Sequence, residues 1–286
     1  MLHVTNGTSV SLAESGLPGE ILPWLDVLHE GPVPAGIDDA ELCRVRTEFL
    51  NAGDDLVRRD RVFAGSEDLV LWFEHDLYDQ LQLIQILDRC RSTGKRASLI
   101  CVDRYLGPMT GVELAALWPS RHDVTEAEYS LASAAWSAFR ASDPLPLQTV
   151  IAGDTSALPF LRGALRRHLQ QFPSVGNGLG RTERQILQIL SSGPRRFPEL
   201  FVEGQRMEEA IFLGDLSFRE YIRQLAPLVT EEDGQFSLTD TGREVLAGRI
   251  DRVREYGIDR WFGGVHLAGR GTLWRWEEAS GRLQLA

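Results

Sequence analysis

The sequence predicts a mixed α/β protein: a Rossmann-like domain with a parallel sheet, a helical connector, and a C-terminal winged-helix-like α+β domain. Three observations lead to this prediction. Short apolar runs alternate with helical patterns early in the chain, a glycine-rich linker covers 172–180, and three helical segments followed by a hairpin come after it. We therefore place the domains at 1–122, 123–178 and 179–286, the last ending in a further hairpin.

The composition is that of a globular chain long enough for more than one core, with 286 residues, 43% hydrophobic and 25% charged. No stretch approaches the roughly 20 continuous apolar residues of a membrane span, and the N-terminus has no basic leader region. We expect a cytoplasmic protein without a membrane partner. Cys43, Cys90 and Cys101 have no C-x-x-C spacing, which favours buried thiols over redox or zinc roles.

The charge pattern argues against a protein that mainly coats nucleic acid. The formal net charge is -11, whereas non-specific binding to phosphate backbones depends on positive charge. Lys95 is the only lysine among 30 basic residues, and it lies in a predicted turn. It therefore suits neither Schiff-base chemistry nor a P-loop. A local basic face stays compatible with this composition.

The first predicted strand, 2–5, leads into a turn whose residues suit an anion. Gly7 follows Asn6 and permits a tight turn, and the hydroxyls of Thr8 and Ser9 can cap the short helix predicted next. Free N–H groups at such a helix start attract anions. The turn is thus either a phosphate or carboxylate cradle or a plain helix cap, because one glycine is a weak signal.

Polar residues also follow the second predicted strand, 20–25. The loop after it contains Asp26, His29 and Glu30, and two prolines then end any regular structure. Helical periodicity comes next, at 39–51 and from about 55 to 63. In the first of these helices, three charged residues are expected to point mostly outward: Arg44, Arg46 and Glu48.

The third predicted strand, 69–73, is an apolar run bounded by charged residues, which is typical of a strand buried on both faces. A helix follows it at once. The end of the strand and the first helical turn carry acid, base or amide groups: Glu74, His75, Asp76, Asp79 and Gln80. Because ligands of open parallel sheets bind beyond the carboxyl ends of the strands, we expect a functional site there.

The fourth predicted strand, 96–102, ends in Asp103 and Arg104. Helices between the strands make β-α-β crossovers, which are almost always right-handed. We expect the strand order second, first, third, fourth, which brings the ends of the first and third strands together at a switch point. Arg104 is then the expected counter-charge for the carboxylates that follow the third strand.

From about 111 to 172 the chain is predicted to be helical, with helices at 125–140 and 156–171. The latter is rich in arginine and contains His168. We favour a solvated face over an apolar stripe for this helix, rather than a ligand-binding role.

The chain after the linker has a winged helix-turn-helix pattern of three helices, at 181–192, 197–204 and 216–225, and a hairpin. A last helix is predicted at 239–248. Nine arginines and twelve acidic residues lie between positions 181 and 250, and the wing tip is acidic. Since these charges oppose phosphate binding, we favour a structural or interaction domain over a DNA reader.

The C-terminal stretch 257–267 has a double glycine among aromatic residues, and two hairpin-like segments follow it. Glycines and aromatics can let this tail approach the first domain closely. His266 lies between apolar neighbours, so we favour a strand histidine over a catalyst.

Four segments resemble the bacterial family known as domain of unknown function 1835. They are H-V-T-N-G-T-S, L-H-E-G-P-V, W-F-E-H-D-L-Y-D-Q and I-C-V-D-R-Y-L-G-P. The part from N-G-L-G-R-T-E to W-F-G-G-V-H-L is similar to the uncharacterised C-terminal domain that often accompanies that family. The resemblance covers nearly the whole chain. It implies two joined domains and no established activity, so it assigns no catalytic role.

Two classes of function stay open. The first is an enzyme for a small phosphorylated or nucleotide-like substrate, in which His75, flanked by Glu74 and Asp76, is the acid or base. The second is a ligand-responsive regulator whose winged helix contacts DNA or protein. Besides those three catalytic candidates, the ligand-binding candidates are Asn6, Gly7, Thr8, Ser9, His29, Glu30, Asp79, Gln80, Asp103 and Arg104.

A metal site is a third possibility, although no residues show a recognised metal spacing. The side chains that could converge on a metal are His29, Glu30, His75, Asp76 and Asp103. The sequence assigns no metal ligands and no cofactor. A small molecule is the expected partner, and neither the reaction nor the oligomeric state can be read.

Overall fold

The computed structural model describes residues 1–286 as a mixed α/β protein with one mostly parallel sheet, twelve α-helices and small antiparallel sheets. The predicted mixed α/β class with a mostly parallel sheet is confirmed. The chain divides into two compact units, the first Met1–Leu165 with Trp261–Val265, the second Arg166–Arg260 with His266–Ala286. The three predicted domain boundaries stay a prediction. None of the helices is both long and apolar enough to cross a membrane.

The sheet of the first unit has five strands: β1 (Leu2–Thr5), β2 (Glu20–Pro23), β3 (Asp68–Phe73), β4 (Arg96–Cys101) and β5 (His122–Asp123). Their order is β2-β1-β3-β4-β5. The first four are parallel, and β5 pairs antiparallel with β4. The predicted order of four strands is confirmed. The fifth was not predicted because two exposed polar residues carry no apolar pattern.

Seven helices occupy the chain before the linker, and the sheet lies among them. They are α1 (Asp39–Leu50), α2 (Asp55–Gly65), α3 (Leu77–Thr93), α4 (Gly111–Ala116), α5 (Glu126–Arg140), α6 (Leu145–Ala152) and α7 (Leu161–Leu169). The helix predicted at 156–171 is shorter, because Pro159 has no N–H to donate and restricts the residue before it. Its predicted solvated face is also wrong in part, since Arg167 and His168 are buried.

Helix α3 follows the central strand with a defined start and stop. The Asp76 carboxylate caps its N-terminus by accepting from the Asp79 backbone N–H, and Gly94 ends it in a left-handed conformation. Most of the helix is buried, including Gln80, Gln82 and Gln85. These amides are satisfied in part by neighbouring strands: the Gln82 amide donates to backbone carbonyls just after β2.

The prediction that Arg46 points outward from α1 is wrong. Its side chain is 1% exposed. The guanidinium donates two hydrogen bonds to Asp26 Oδ1 and others to the carbonyls of Val27 and Glu30. A guanidinium group can be buried when its N–H donors are hydrogen-bonded. Helical periodicity alone does not reveal that a helical arginine has a buried acceptor such as Asp26. Arg44 remains exposed, as predicted.

The turn after β1 differs from its prediction as well. The only helix before β2 is a 3-10 turn, Leu12–Ser15, preceded by Ser11 and ended by Gly16 in a left-handed conformation. Thr8 and Ser9 therefore cap no helix, and the predicted helix-terminus cradle is absent.

The second unit begins with six elements: α8 (Arg181–Ser191), β6 (Arg195–Arg196), α9 (Phe197–Gln205), α10 (Asp215–Gln224), β7 (Val229–Glu232) and β8 (Gln235–Leu238). The three strands form an antiparallel sheet in the order β6-β8-β7. The chain ends with α11 (Asp240–Leu246), α12 (Arg252–Tyr256) and two hairpins, β9 (Ile258–Phe262) with β10 (Val265–Gly269) and β11 (Trp274–Glu277) with β12 (Arg282–Leu285).

The double glycine of the tail packs within the first unit, as the sequence predicted. The Val33 N–H donates to the Gly263 carbonyl, and the Gly264 N–H donates to the Phe139 carbonyl. A Cβ at Gly264 would lie 1.8 Å from the Arg140 carbonyl oxygen. Only glycine permits this close approach.

Candidate functional site

Three buried carboxyl groups meet at the carboxyl end of β3. Glu74 and Asp76 follow the strand directly, and Asp79 lies in the first turn of α3. One oxygen of each lies within 4.8 Å of the other two. The residues are 4%, 3% and 0% exposed, respectively. We call this group the carboxylate cluster. Its members were all candidates from the sequence, and the structure brings them together.

Hydrogen bonds to the backbone fix the cluster. The Leu106 N–H donates to Glu74 Oε1 at 2.6 Å, and the Glu74 N–H donates to Asp79 Oδ1 at 2.6 Å. Asp76 is held by its capping bond to the Asp79 N–H at 3.2 Å. The predicted ligand residue Gln80 is buried behind the cluster, where its amide donates to the Glu74 carbonyl. Gln80 therefore holds the backbone of Glu74 in place.

Asn6 joins the cluster from β1. Its Nδ2 donates to Asp79 Oδ2 at 2.5 Å, while its Oδ1 is buried without a hydrogen-bond partner. The contact follows from the parallel pairing of β1 with β3, which places their carboxyl ends side by side. The predicted neighbourhood of the first-strand turn and the third-strand cluster is confirmed for this residue.

The rest of the first-strand turn is more open. Thr5 Oγ1 donates to the Gly7 carbonyl, and Thr8 and Ser9 are exposed. Ser9 lies beside the loop after β4, because a Cβ at Gly107 would be 3.3 Å from its Oγ. These residues border the site without an observed contact to the cluster.

The carboxylate cluster has no positive partner, and its pKa values reflect this. No arginine, lysine or histidine forms an ion pair with any of the three residues. Burial raises the pKa of Glu74, and burial together with the charge of Glu74 raises the pKa of Asp76 to about 7. The pKa of Asp79 lies well above its ordinary value, through burial and the charges of both neighbours.

His75 faces a different environment. Its ring lies 5.2 Å from the Tyr105 ring and 6.0 Å from the Phe160 ring, measured between centroids. Burial lowers its pKa, and the charge of Asp103 opposes that shift. Asp103, rather than either flanking carboxylate, is thus the acid that acts on this imidazole. The ring is neutral at pH 7 and available as a proton acceptor.

The polar side chains of the loop after β2 have other partners than the carboxylate cluster. His29 Nε2 lies 3.7 Å from Glu30 Oε1, and the His29 ring contacts the Tyr78 ring at 5.8 Å. Asp26 pairs with Arg46 instead. Of the metal set considered from the sequence, only Asp76 belongs to the carboxylate cluster.

Arg104 does not neutralise the cluster. Its side chain is 63% exposed and lies 3.9 Å from the Asp103 carboxylate. The expectation of a counter-charge from Arg104 is therefore wrong. The Leu106 N–H that binds Glu74 could not be expected from the sequence, since a backbone donor has no residue-type signal.

A concave region lies at the opposite edge of the sheet from the carboxylate cluster. This cleft, of about 480 Å³, is lined at the amino-terminal ends of β3 and β4 by charges of both signs, including Asp68, Lys95, Arg96 and Asp123. Asp68 and Arg96 pair with each other there and are both exposed. We assign the chemistry to the carboxylate cluster, because buried carboxylates without a partner cost folding free energy and exposed ion pairs do not.

The comparison with known proteins found no match: no protein-family model and no curated protein matches the chain.

Proposed function

We propose that the chain is an enzyme for a small phosphorylated molecule, and that the carboxylate cluster holds a divalent cation which binds the phosphate. The observation that carries this proposal is the burial of Glu74, Asp76 and Asp79 together without a positive side chain. The strand order, with its switch point between β1 and β3, supports a Rossmann-like domain whose ligand binds at this edge.

Electrostatics explains why a cation fits. Two ionised carboxylates whose oxygens lie within 4.8 Å of each other repel by about 3 kcal/mol or more at the effective dielectric constant of about 20 that suits protein sites. The three groups must therefore share protons or a cation. Carboxylate and amide oxygens are the ligands of hard divalent ions such as Mg²⁺, Mn²⁺ and Ca²⁺.

Asn6 supplies a second indication. Its Nδ2 donates to Asp79 Oδ2, and its buried Oδ1 has no hydrogen-bond partner. A buried amide oxygen without a donor needs an explanation, and an ion or an ordered water at the cluster provides one. The donor set is then three carboxylates and one amide oxygen.

A cation also removes the conflict between an acidic site and an anionic substrate. The cluster alone would repel a phosphate, whereas a divalent ion attracts and orients it. We propose that the neutral imidazole of His75, which lies between Glu74 and Asp76 in the chain, accepts a proton from an attacking water or hydroxyl group. Asp103 stabilises the imidazolium that forms.

The test measures phosphate release from nucleotides and sugar phosphates, with EDTA or with Mg²⁺ or Mn²⁺. We expect cation-dependent activity that Glu74→Gln abolishes, since glutamine keeps the acceptor for the Leu106 N–H and removes one charge. Asp68→Asn, an exposed carboxylate at the opposite edge, is the matched control and should retain activity. Equal activity in EDTA, or an active Glu74→Gln enzyme, would contradict the proposal.

A second candidate function is the ligand-responsive regulator, and the element order of the second unit favours it. The sequence α8-β6-α9-α10-β7-β8, with its three-stranded sheet, supports a winged-helix-like domain. The two arginines of α10 are engaged, however: Arg223 pairs with Glu220, and Arg219 stacks on Phe197 at 3.9 Å. The wing tip, residues 231–233, is acidic and exposed.

We infer that a regulator of this kind would contact protein rather than DNA. A gel shift with the promoter region of its own gene tests this: tight, salt-sensitive DNA binding would favour the regulator and count against the enzyme. Membership of the domain of unknown function 1835 family stays a proposal that rests on the four resembling segments.

A further inference from the structure

The cleft at the amino-terminal edge of the sheet brings five charged side chains into one cavity of about 480 Å³. Sites for small molecules typically have volumes of roughly 300–1,000 Å³. We call this cavity the amino-terminal cleft. The charged residues that line it are Asp68, Lys95, Arg96, Arg121 and Asp123.

Three of these charged groups have partners within the protein. Arg96 pairs with Asp68 at 2.8 Å. The Lys95 ammonium group donates to the backbone carbonyls of Ala64 and Ser66, at 2.9 Å and 2.6 Å. A ligand would have to compete with these contacts, so the three groups are poor candidates for binding one.

Arg121 and Asp123, by contrast, have no partner of opposite charge, and neither residue takes part in an ion pair. The Arg121 guanidinium carbon lies 3.9 Å from the centroid of the Trp118 ring. The Asp123 carboxylate accepts one hydrogen bond, from Ser98 Oγ at 3.1 Å. One positive and one negative group in the same cavity therefore remain available to a ligand.

The register of the sheet places these two groups on one face. Ser98 is the pairing partner of both Val70 and Asp123, so the three side chains point to the same side. Arg121 lies two residues before Asp123 and has an extended backbone, which gives its side chain the same direction. Two residues of extended chain span about 7 Å. A small ligand with one charge of each sign can therefore bridge the two groups.

We propose that the amino-terminal cleft binds a free amino acid with an apolar side chain. The carboxylate of the ligand pairs with Arg121, its ammonium group pairs with Asp123, and its side chain lies against Val70 and Val124, which also line the cleft. A guanidinium group matches the geometry of a carboxylate. A ligand with a single charge would be attracted by one of the two residues and repelled by the other, whereas an α-amino acid carries both charges.

This site is separate from the carboxylate cluster, which lies at the opposite ends of the strands, and it does not depend on the proposed function. The experiment is a calorimetric titration of the full chain in EDTA with leucine, leucinamide and N-acetylleucine. Leucinamide lacks the carboxylate, and N-acetylleucine lacks the ammonium group. We expect leucine to bind at least about 10-fold more tightly than either analogue, because each loses hydrogen bonds between charged groups.

Two variants remove the charges of the cleft one at a time. Arg121→Gln should weaken leucine binding about 10-fold and leave leucinamide binding unchanged. Asp123→Asn, which keeps an acceptor for Ser98, should weaken leucine binding to a similar extent and leave N-acetylleucine binding unchanged. Arg44→Gln, at an exposed arginine of α1, is the control and should change nothing. Since Arg121 and Asp123 are exposed, neither variant should lower the unfolding temperature.

Three results would overturn the inference: leucine does not bind wild type, either analogue binds as tightly as leucine, or both variants retain full leucine binding. EDTA removes any cation from the carboxylate cluster, so the result does not depend on whether the proposed function is correct. Should one variant fail to fold in a thermal unfolding control, the other variant and the two analogues make the same comparison.

Discussion

Replacing Asp76 by asparagine is predicted to stabilise the metal-free protein above pH 7, even though the residue is buried and caps a helix. Asparagine is as good an N-cap as aspartate, so the bond from the Asp79 N–H is kept. What the substitution removes is a carboxylate that must ionise in a buried site beside Glu74 and Asp79.

The magnitude follows from the shifted pKa of Asp76. It is raised from an ordinary value of 3.8 to about 7 in the folded protein. Between these values the folded state binds more protons than the unfolded state, so stability falls as pH rises from about 4 to about 7 and is then constant. At 1.36 kcal/mol per pH unit, the full loss is about 4 kcal/mol.

The assay is urea unfolding of wild type and Asp76→Asn in EDTA, from pH 4 to pH 9. We expect similar stabilities near pH 4 and a growing advantage of the variant, up to about 4 kcal/mol, above pH 7. A saturating divalent cation should stabilise wild type and not the variant, because ligands stabilise only the state that binds them. Parallel pH profiles of the two proteins would show that Asp76 does not ionise at a cost to stability.

Three further predictions concern other parts of the first unit. Arg46→Ala should destabilise by about 3–5 kcal/mol, because it leaves a buried carboxylate without its main partner, whereas Arg44→Ala on the exposed face should cost under about 0.5 kcal/mol in urea unfolding. Gly264→Ala should lower the unfolding temperature markedly, since its Cβ would lie 1.8 Å from a backbone oxygen; an unchanged temperature would contradict the packing. His75→Ala should leave thermal stability nearly unchanged but remove ligand-induced stabilisation, and a His75 variant that unfolds many degrees lower without ligand would show a structural role instead.

The backbone architecture of the site could be predicted because it depends on rules of chain connection. The β-α-β pattern predicted a parallel sheet, and the expected strand order placed Asn6 next to the residues after β3. The end of β3 was also clear from the sequence, since the charged Glu74 directly follows the apolar Phe73. Both signals are local or topological, so a single sequence contains them.

The electrostatics of the site could not be predicted, because charge pairing is decided in three dimensions. Arg104 follows its strand as expected but pairs with Asp103 at the surface. Arg46 looked solvent-exposed by periodicity and is buried on Asp26. The three acids after β3 were expected to share a pocket with a basic residue, and the structure has none paired with them. No sequence pattern distinguishes these outcomes.

Titration with divalent cations shows whether the carboxylate cluster is a metal site. Metal-free protein, purified without a histidine tag, is titrated with Mn²⁺ and Mg²⁺ by calorimetry, alongside Glu74→Gln, Asp76→Asn and the control Asp68→Asn. The account predicts one cation per chain for wild type and the control, with proton release near pH 6 because Asp76 titrates at about 7 in the absence of metal. It also predicts loss of binding in both cluster variants. No binding to wild type, or binding that both cluster variants retain, would contradict it.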